Sequence, residues 1–294
     1  MSNSIIVGAA IEDSYISAGL VNLETRQLID STLRRKKVNP QGEITDIITN
    51  WSNVLNEVIS LLPNGEKRIG MGVPGPCDYE SGFFLNNNPN RYGSLYRLNL
   101  KELLADHVGV NQESNRLIND AACFFQGEVF GGAIRGYKKS FGITLGMGLG
   151  SARYVNGKVE DANLWKMPFK DSIAEDYLSV RWLINRFKIL SGIEVTDLVE
   201  MKRFAPDARV QQVFDEFADN LSAFLVEIIR SESPEVVLIG GQMESSNRFF
   251  FARAVEGVLA QGIKTPVMKA ILGERASVIG AASVWYDQNL LHTE

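Results

Sequence analysis

Cysteine and histidine are both scarce. The 294 residues hold two of each: Cys77 and Cys123, His107 and His292. Neither pair has metal-ligand spacing, so a disulfide framework and a cysteine-based zinc site drop out, and the thiols suit a reducing cytoplasm. There is no basic excess either. Thirty Lys and Arg against 35 Asp and Glu leave a net charge of −5, the opposite of the broad positive face that holds nucleic acid. No apolar run approaches the roughly 20 residues needed to cross a bilayer. The opening Met1-Ser2-Asn3-Ser4 shows no basic leader. Low-complexity tracts and short repeat periods are also missing, which excludes fibres and solenoids. What remains is 45% hydrophobic and 22% charged, with 26 glycines. That is a folded chain of one large or two modest domains, expected in the cytoplasm without nucleic-acid or membrane partners.

Periodicity supplies the architecture. Apolar runs at 5–11, 15–21 and 27–33 with short polar gaps predict an antiparallel meander. Over 44–62 the period changes: Ile47, Ile48, Trp51, Val54, Leu55, Val58 and Leu62 share one helical face, ended by Pro63-Asn64-Gly65. A strand over 68–73 runs into the rigid Pro74-Gly75-Pro76. A polar loop (86–92), a helix (100–107), a short strand (116–118) and a helix (121–130) follow. Then a second meander begins, with strands at 140–145, 151–155 and 158–159. Asn156-Gly157 within it is a strong hairpin signal. An apolar stripe from Val210 to Ile228, a buried strand over 236–239, and helices over 246–261 and 276–291 complete the chain. Trp165, Trp182 and Trp285 read as packing groups, His107 and His292 as surface residues. A meander followed by helices occurs twice, so the expected fold is α/β, two similar halves with a ligand cleft between them. The expected division is 1–118, completed by about 281–294, and 119–280.

Three short stretches could carry chemistry. Thr144-Leu145-Gly146-Met147-Gly148-Leu149-Gly150 lies between two strands. Glycine at alternate positions lets backbone N–H groups approach an anion without a Cβ in the way; a glycine-rich hairpin without ligand would look the same. Asn119-Asp120 stands at a strand's C-terminal end, where open α/β sheets place ligands. Its carboxylate could accept a hydroxyl proton, or the pair could simply cap the next helix. Gly240-Gly241 after a buried strand could admit a nucleoside close to the backbone, or merely turn the chain.

Taken in order, Gly72-Val73-Pro74-Gly75-Pro76, Asn88-Pro89-Asn90, Asn119-Asp120-Ala121 with Gly127-Glu128, Thr144 to Gly150, Ile239-Gly240-Gly241, Leu272-Gly273 and Ile279-Gly280-Ala281-Ala282 resemble the ROK family of sugar kinases and sugar-responsive repressors. The resemblance implies the actin-like ATPase fold, two ribonuclease-H-like domains. It implies ATP with Mg²⁺, a sugar substrate and a homodimer. It assigns Asp120 as catalytic base and Asn119, Asn90 and Glu175 to the sugar. Ser14, Thr144, Gly146, Gly148 and Gly150 fall to the phosphates, Gly240 and Gly241 to the nucleoside. The departures are specific. Where the family's first phosphate loop reads Asp-x-Gly-Gly-Thr/Ser, this chain reads Ala10-Ile11-Glu12-Asp13-Ser14. Where the family has a sugar-binding Glu and His, it has Asn163 and Lys166. The zinc-loop cysteines are missing from 167–172, so no zinc is expected. With a first strand at residue 5, no DNA-binding domain is expected ahead of it. The implied function is an ATP-dependent, glucokinase-like sugar kinase. The alternative is a catalytically impaired relative that binds sugar or nucleotide as a sensor or scaffold, which the altered first loop would explain.

Overall fold

A computed structural model describes residues 4–12, 14–63 and 66–286. Strands β1 (Ile5–Ile11) and β2 (Tyr15–Asn22) pair antiparallel and are buried over most of their length, as continuous apolar runs require. The expected third strand over 27–33 is broken. β3 (Gln27–Leu28) pairs with β2, a 3₁₀ turn takes Asp30–Thr32, and β4 (Arg34–Lys37) pairs again with β2 further back. The Thr32 hydroxyl causes the break. It accepts from Leu20 N–H at 2.9 Å, a ladder donor, while it donates to Ile29 C=O at 2.6 Å.

Helix α1 (Ile44–Ile59) buries the face its periodicity picked out, including Trp51, Val54 and Val58. β5 (Ile69–Val73) runs parallel to β1. α2 (Leu100–Val108) is capped by the Asn99 side chain, which accepts from the N–H groups of Lys101 and Glu102. β6 (Asn115–Asn119) pairs parallel with β5, and α3 (Asp120–Gly131) follows at once. The resulting strand order is β3-β2-β1-β5-β6, with β4 also on β2.

The second meander is β7 (Lys139–Leu145), β8 (Leu149–Val155) and β9 (Lys158–Asp161). A small hairpin of β10 (Pro168–Phe169) and β11 (Ser172–Ile173) comes next. After it lie α4 (Val180–Ser191), α5 (Leu198–Arg203) and the long α6 (Ala208–Glu232). β12 (Val236–Gly240) then runs parallel to β7, and α7 (Asn247–Ala260) leads to β13 (Val267–Lys269), parallel to β12. The order is β13-β12-β7-β8-β9. Each sheet is therefore a three-strand meander with two parallel strands added beyond its first strand, and the duplication read from the pattern is a duplication of topology.

The chain forms two compact units, residues 1–135 with 274–294 and residues 136–273. Beside the expected divisions at 118/119 and 280/281, α8 (Arg275–Ser283) packs on both α3 and the first sheet. A Cβ at Gly280 would lie 1.9 Å from the Cys123 carbonyl oxygen, one at Gly127 2.0 Å from that of Ala276, and one at Gly70 1.8 Å from that of Ala281. Only glycine permits approaches this close. The last helix ends at Ser283 rather than Leu291; residues 287–294, His292 among them, lie outside the described residues.

Each unit has its own core. In the first, the Trp51 ring meets the edge of Tyr92. In the second, Phe214, Phe217, Phe224 and Phe250 of α6 and α7 lie fully buried. Trp182 packs on Phe217, and Trp285 donates from Nε1 to Ile69 C=O at 3.0 Å. Trp165 differs from its expected packing role and is 43% exposed. His107 is exposed, as read. No helix among the described residues is long and apolar enough to cross a membrane.

Candidate functional site

In the first unit the parallel strands β1, β5 and β6 end at one edge of the sheet. Ala10 lies opposite Gly72, and Val73 opposite Asn119. The loops leaving that edge carry the residues singled out in sequence. Asn119 caps α3, its Oδ1 accepting from Ala122 N–H at 3.1 Å, while its Nδ2 donates to the Tyr79 hydroxyl at 3.0 Å. The capping reading of the pair is observed at Asn119. Asp120 Oδ1 accepts from Ala121 N–H at 2.9 Å, and Oδ2 lies 3.9 Å from Arg91 Nη2. Its side chain is 35% exposed, within reach of a ligand. The positive end of α3 favours an anionic carboxylate at this position. Behind it Cys123 is buried, and burial first, the charge of Asp120 second, push its thiol up. Its Sγ donates to Ser277 C=O at 2.9 Å, so it is no nucleophile.

Asn90 is exposed, and its Oδ1 accepts from Gln41 Nε2 at 2.8 Å. It adjoins Arg91 in the chain. At the first turn, Ala10 is buried and offers no side-chain donor atom. Glu12 Oε2 lies 3.4 Å from Arg35 Nη2, and the same guanidinium binds Glu274 and covers the Tyr15 ring at 4.3 Å. Ser14 C=O accepts from Val38 N–H at 2.9 Å. Asp13 lies outside the described residues.

In the second unit the glycine turn joins β7 to β8. Thr144 stands opposite Gly150 on one side and Gly240 on the other, so three of the predicted residues form one row across the sheet. Gly146 N–H donates to Gly148 C=O at 3.0 Å, closing the turn. Gly241 leaves β12 at φ +98°, and a Cβ there would meet the Leu145 carbonyl oxygen at 2.7 Å, so the position requires glycine. Glu175, on a 3₁₀ turn (Ala174–Asp176), reaches this turn directly. Its Oε2 accepts from Leu149 N–H at 3.0 Å, and a Cβ at Gly148 would lie 2.5 Å from that oxygen. Its Oε1 takes a bond from Arg181 Nη2 at 2.5 Å.

Asn163 and Lys166 are exposed. Asn163 has a left-handed backbone and precedes the 3₁₀ turn Leu164–Lys166, which packs against the turn bearing Glu175. Between these turns, where the zinc-loop cysteines are missing, Lys170 donates to Asn220 and lies 5.3 Å over the Tyr177 ring. Sequence reasoning missed Tyr79, Arg91 and Arg181, which contact the predicted Asn119, Asp120 and Glu175, and Arg35, which pairs with Glu12 of the altered first loop. Arg91 alone left a signal, as the neighbour of Asn90.

A family model described as "ROK family" matches residues 8–161 and 175–288. An N-acetyl-D-glucosamine kinase of Pectobacterium carotovorum is 20% identical, over 86% of this chain and 91% of its own length. A glucokinase of Thermotoga maritima is 24% identical, over 95% of this chain and 96% of its own. A solved ROK family glucokinase of Streptomyces griseus, in complex with glucose and AMPPNP, superposes with a TM-score of 0.77 at 20% identity. That match covers 95% of this chain and 98% of the other. The fold is the mixed α/β, two-sheet architecture of ROK and actin-like ATPase kinases.

Proposed function

The chain belongs to the ROK family, and from that premise we propose that it is an ATP-dependent kinase of a hexose or hexose derivative. The carrying observation is the carboxylate of Asp120, poised at the N-terminus of α3 and accessible beside the strand-end loops. Asp120 accepts the proton of a sugar hydroxyl; that oxygen bonds the γ-phosphorus while the bond to the β–γ bridging oxygen breaks, and ADP leaves. Asn119, held by Tyr79, orients a neighbouring hydroxyl, and Asn90, Asn163, Lys166 and Glu175 complete the sugar contacts.

The glycine turn is the phosphate-binding element of this reading. Leu149 N–H already takes an oxyanion from Glu175, and Thr144, Gly146, Gly148 and Gly150 present backbone with little side-chain bulk. Gly240 and Gly241 pass the nucleoside, and Ser14, in the first unit's first turn, is assigned to the phosphates. The described residues of that first turn do not make a metal site: Ala10 has no donor atom and Glu12 is paired with Arg35. Mg²⁺ is therefore taken to arrive on the nucleotide's own phosphates. We likewise propose a cytoplasmic homodimer, which analytical ultracentrifugation tests.

The same first turn favours a second reading, a sugar- or nucleotide-binding protein with little turnover. ADP release with ATP and Mg²⁺ against hexoses, hexosamines and N-acylated hexosamines separates the two. Turnover on one sugar, removed by Asp120→Asn, supports the kinase. No turnover on any sugar, with a melting temperature still raised by ATP or a sugar, supports the binder.

A further inference from the structure

Asn119 is held at both ends of its side-chain amide. Oδ1 accepts from Ala122 N–H at 3.1 Å, and Nδ2 donates to the Tyr79 hydroxyl at 3.0 Å. Capping a helix uses the oxygen alone, and serine or aspartate would cap as well. The bond to Tyr79 therefore serves the half of the amide that the cap leaves over. The sense of the amide is fixed too, since the flipped group would set its NH₂ against Ala122 N–H, donor against donor. Nδ2 carries two hydrogens; Tyr79 takes one, and the other is a donor for a sugar oxygen, held in a set plane.

The surroundings of Tyr79 bring it to this contact. It stands on a tight turn in which Asp78 Oδ1 accepts from the N–H groups of Glu80 and Ser81, at 3.2 and 3.1 Å, and Gly82 N–H donates to Asp78 C=O at 2.7 Å. Gly75 makes the room: a Cβ there would lie 3.0 Å from the Tyr79 hydroxyl oxygen and 3.3 Å from Asn119 Nδ2. Gly75 is itself held, its C=O accepting from the Nδ2 of buried Asn86 at 2.9 Å. All four residues belong to the first unit. Tyr79 and Asn119 are only half-buried, so solvent and a small ligand reach the pair.

We propose, resting on the sugar-kinase reading, that Tyr79 is a positioning residue that acts through Asn119. It sets the amide to donate to one particular sugar hydroxyl, and so makes that hydroxyl a determinant of specificity. The test uses Tyr79→Phe, which removes the hydroxyl and keeps the ring, with glucose, N-acetylglucosamine and the monodeoxy analogues of each. KM for the parent sugar should rise about fivefold, as for one misaligned hydrogen bond, while kcat stays within about twofold. Asp120 keeps its contacts with Ala121 N–H and Arg91 in this variant. Asn119→Ala identifies the hydroxyl, as the one whose removal it no longer distinguishes from the parent. For that analogue Tyr79→Phe should show no rise in KM, whereas a merely structural defect would raise KM for every analogue alike.

Gly75→Ala presses on the same contact from the other side and should reproduce the pattern. It decides the matter if circular dichroism finds Tyr79→Phe misfolded. A parent KM within about twofold of wild type in the folded variants, or an equal rise for all analogues, overturns the proposal and leaves the kinase reading standing. Where neither sugar turns over, the kinase reading fails separately, and Kd from isothermal titration calorimetry with the same sugars replaces KM. The same pattern in Kd upholds the proposal; a flat pattern, or no binding of either sugar, overturns it.

Discussion

The two units share a strand order and differ in what stands at their first turn. In the second unit β7 and β8 are joined by glycines, and Leu149 N–H, at the end of that turn, donates to the Glu175 carboxylate. In the first unit the corresponding link between β1 and β2 carries Glu12, and the strand before it ends in buried Ala10 and Ile11. The acid is balanced by Arg35, which reaches it from β4. The comparison teaches that a duplicated sheet keeps its topology through backbone pairing and core burial, while the turn residues remain free to change. One turn is built of glycines, and the other carries an ion-paired side chain.

The architectural half of that comparison breaks most sharply at α8. Gly70→Val inserts a side chain where a Cβ alone would sit 1.8 Å from the Ala281 carbonyl oxygen. A loss of about 3 kcal/mol or more is expected, seen as an early transition of the first unit in urea. Gly148→Ala addresses the intact turn. Its Cβ meets only the end of the Glu175 side chain, at 2.5 Å, so melting should barely move, while kcat/KM for ATP falls roughly 10- to 100-fold. A melting loss as large as that of Gly70→Val would show the turn to be structural instead.

Ala10→Asp sharpens the contrast from the other side. It restores a carboxylate at the first turn at a burial cost of about 1–3 kcal/mol. Turnover should rise roughly tenfold despite the lower melting temperature; a fall in both would separate that turn from catalysis. A further test, without bearing on turnover, concerns the thiols, both of which lie in the first unit. Burial, with Asp78's charge second, pushes Cys77 up to about 12. Alkylation of the native chain at pH 8 should then run about 10³-fold slower than for a free thiol and quicken as pH rises. Labelling that speeds up in mild denaturant would report the opening of the first unit alone.

Much of this was legible in the chain. Both meanders were, because their strands alternate or are uniformly apolar, and so were α1 and α6, whose stripes are wide. The order of motifs located Asp120, the glycine turn and Gly240-Gly241, because each needs a residue type that few others can replace. β4 was not legible: Arg34-Arg35-Lys36-Lys37 is an exposed edge strand with no apolar face to betray it. The break at Thr32 depends on one hydroxyl replacing a ladder acceptor, which no periodicity records. The arginines at Asp120 and Glu175 were hidden for another reason. Arg91 meets Asp120 from a distant loop, and Arg181 meets Glu175 through a turn that carries no helical or strand pattern.

The central claim is that base and phosphate-binding turn are separate parts, one in each unit. It is tested most directly by measuring single-turnover phosphoryl transfer in Asp120→Asn beside its ATP-induced melting shift. The account predicts a shift equal to that of wild type, with transfer slowed about 10³-fold or more. Transfer within about twofold of wild type would contradict it, because a general base cannot be removed at so small a cost.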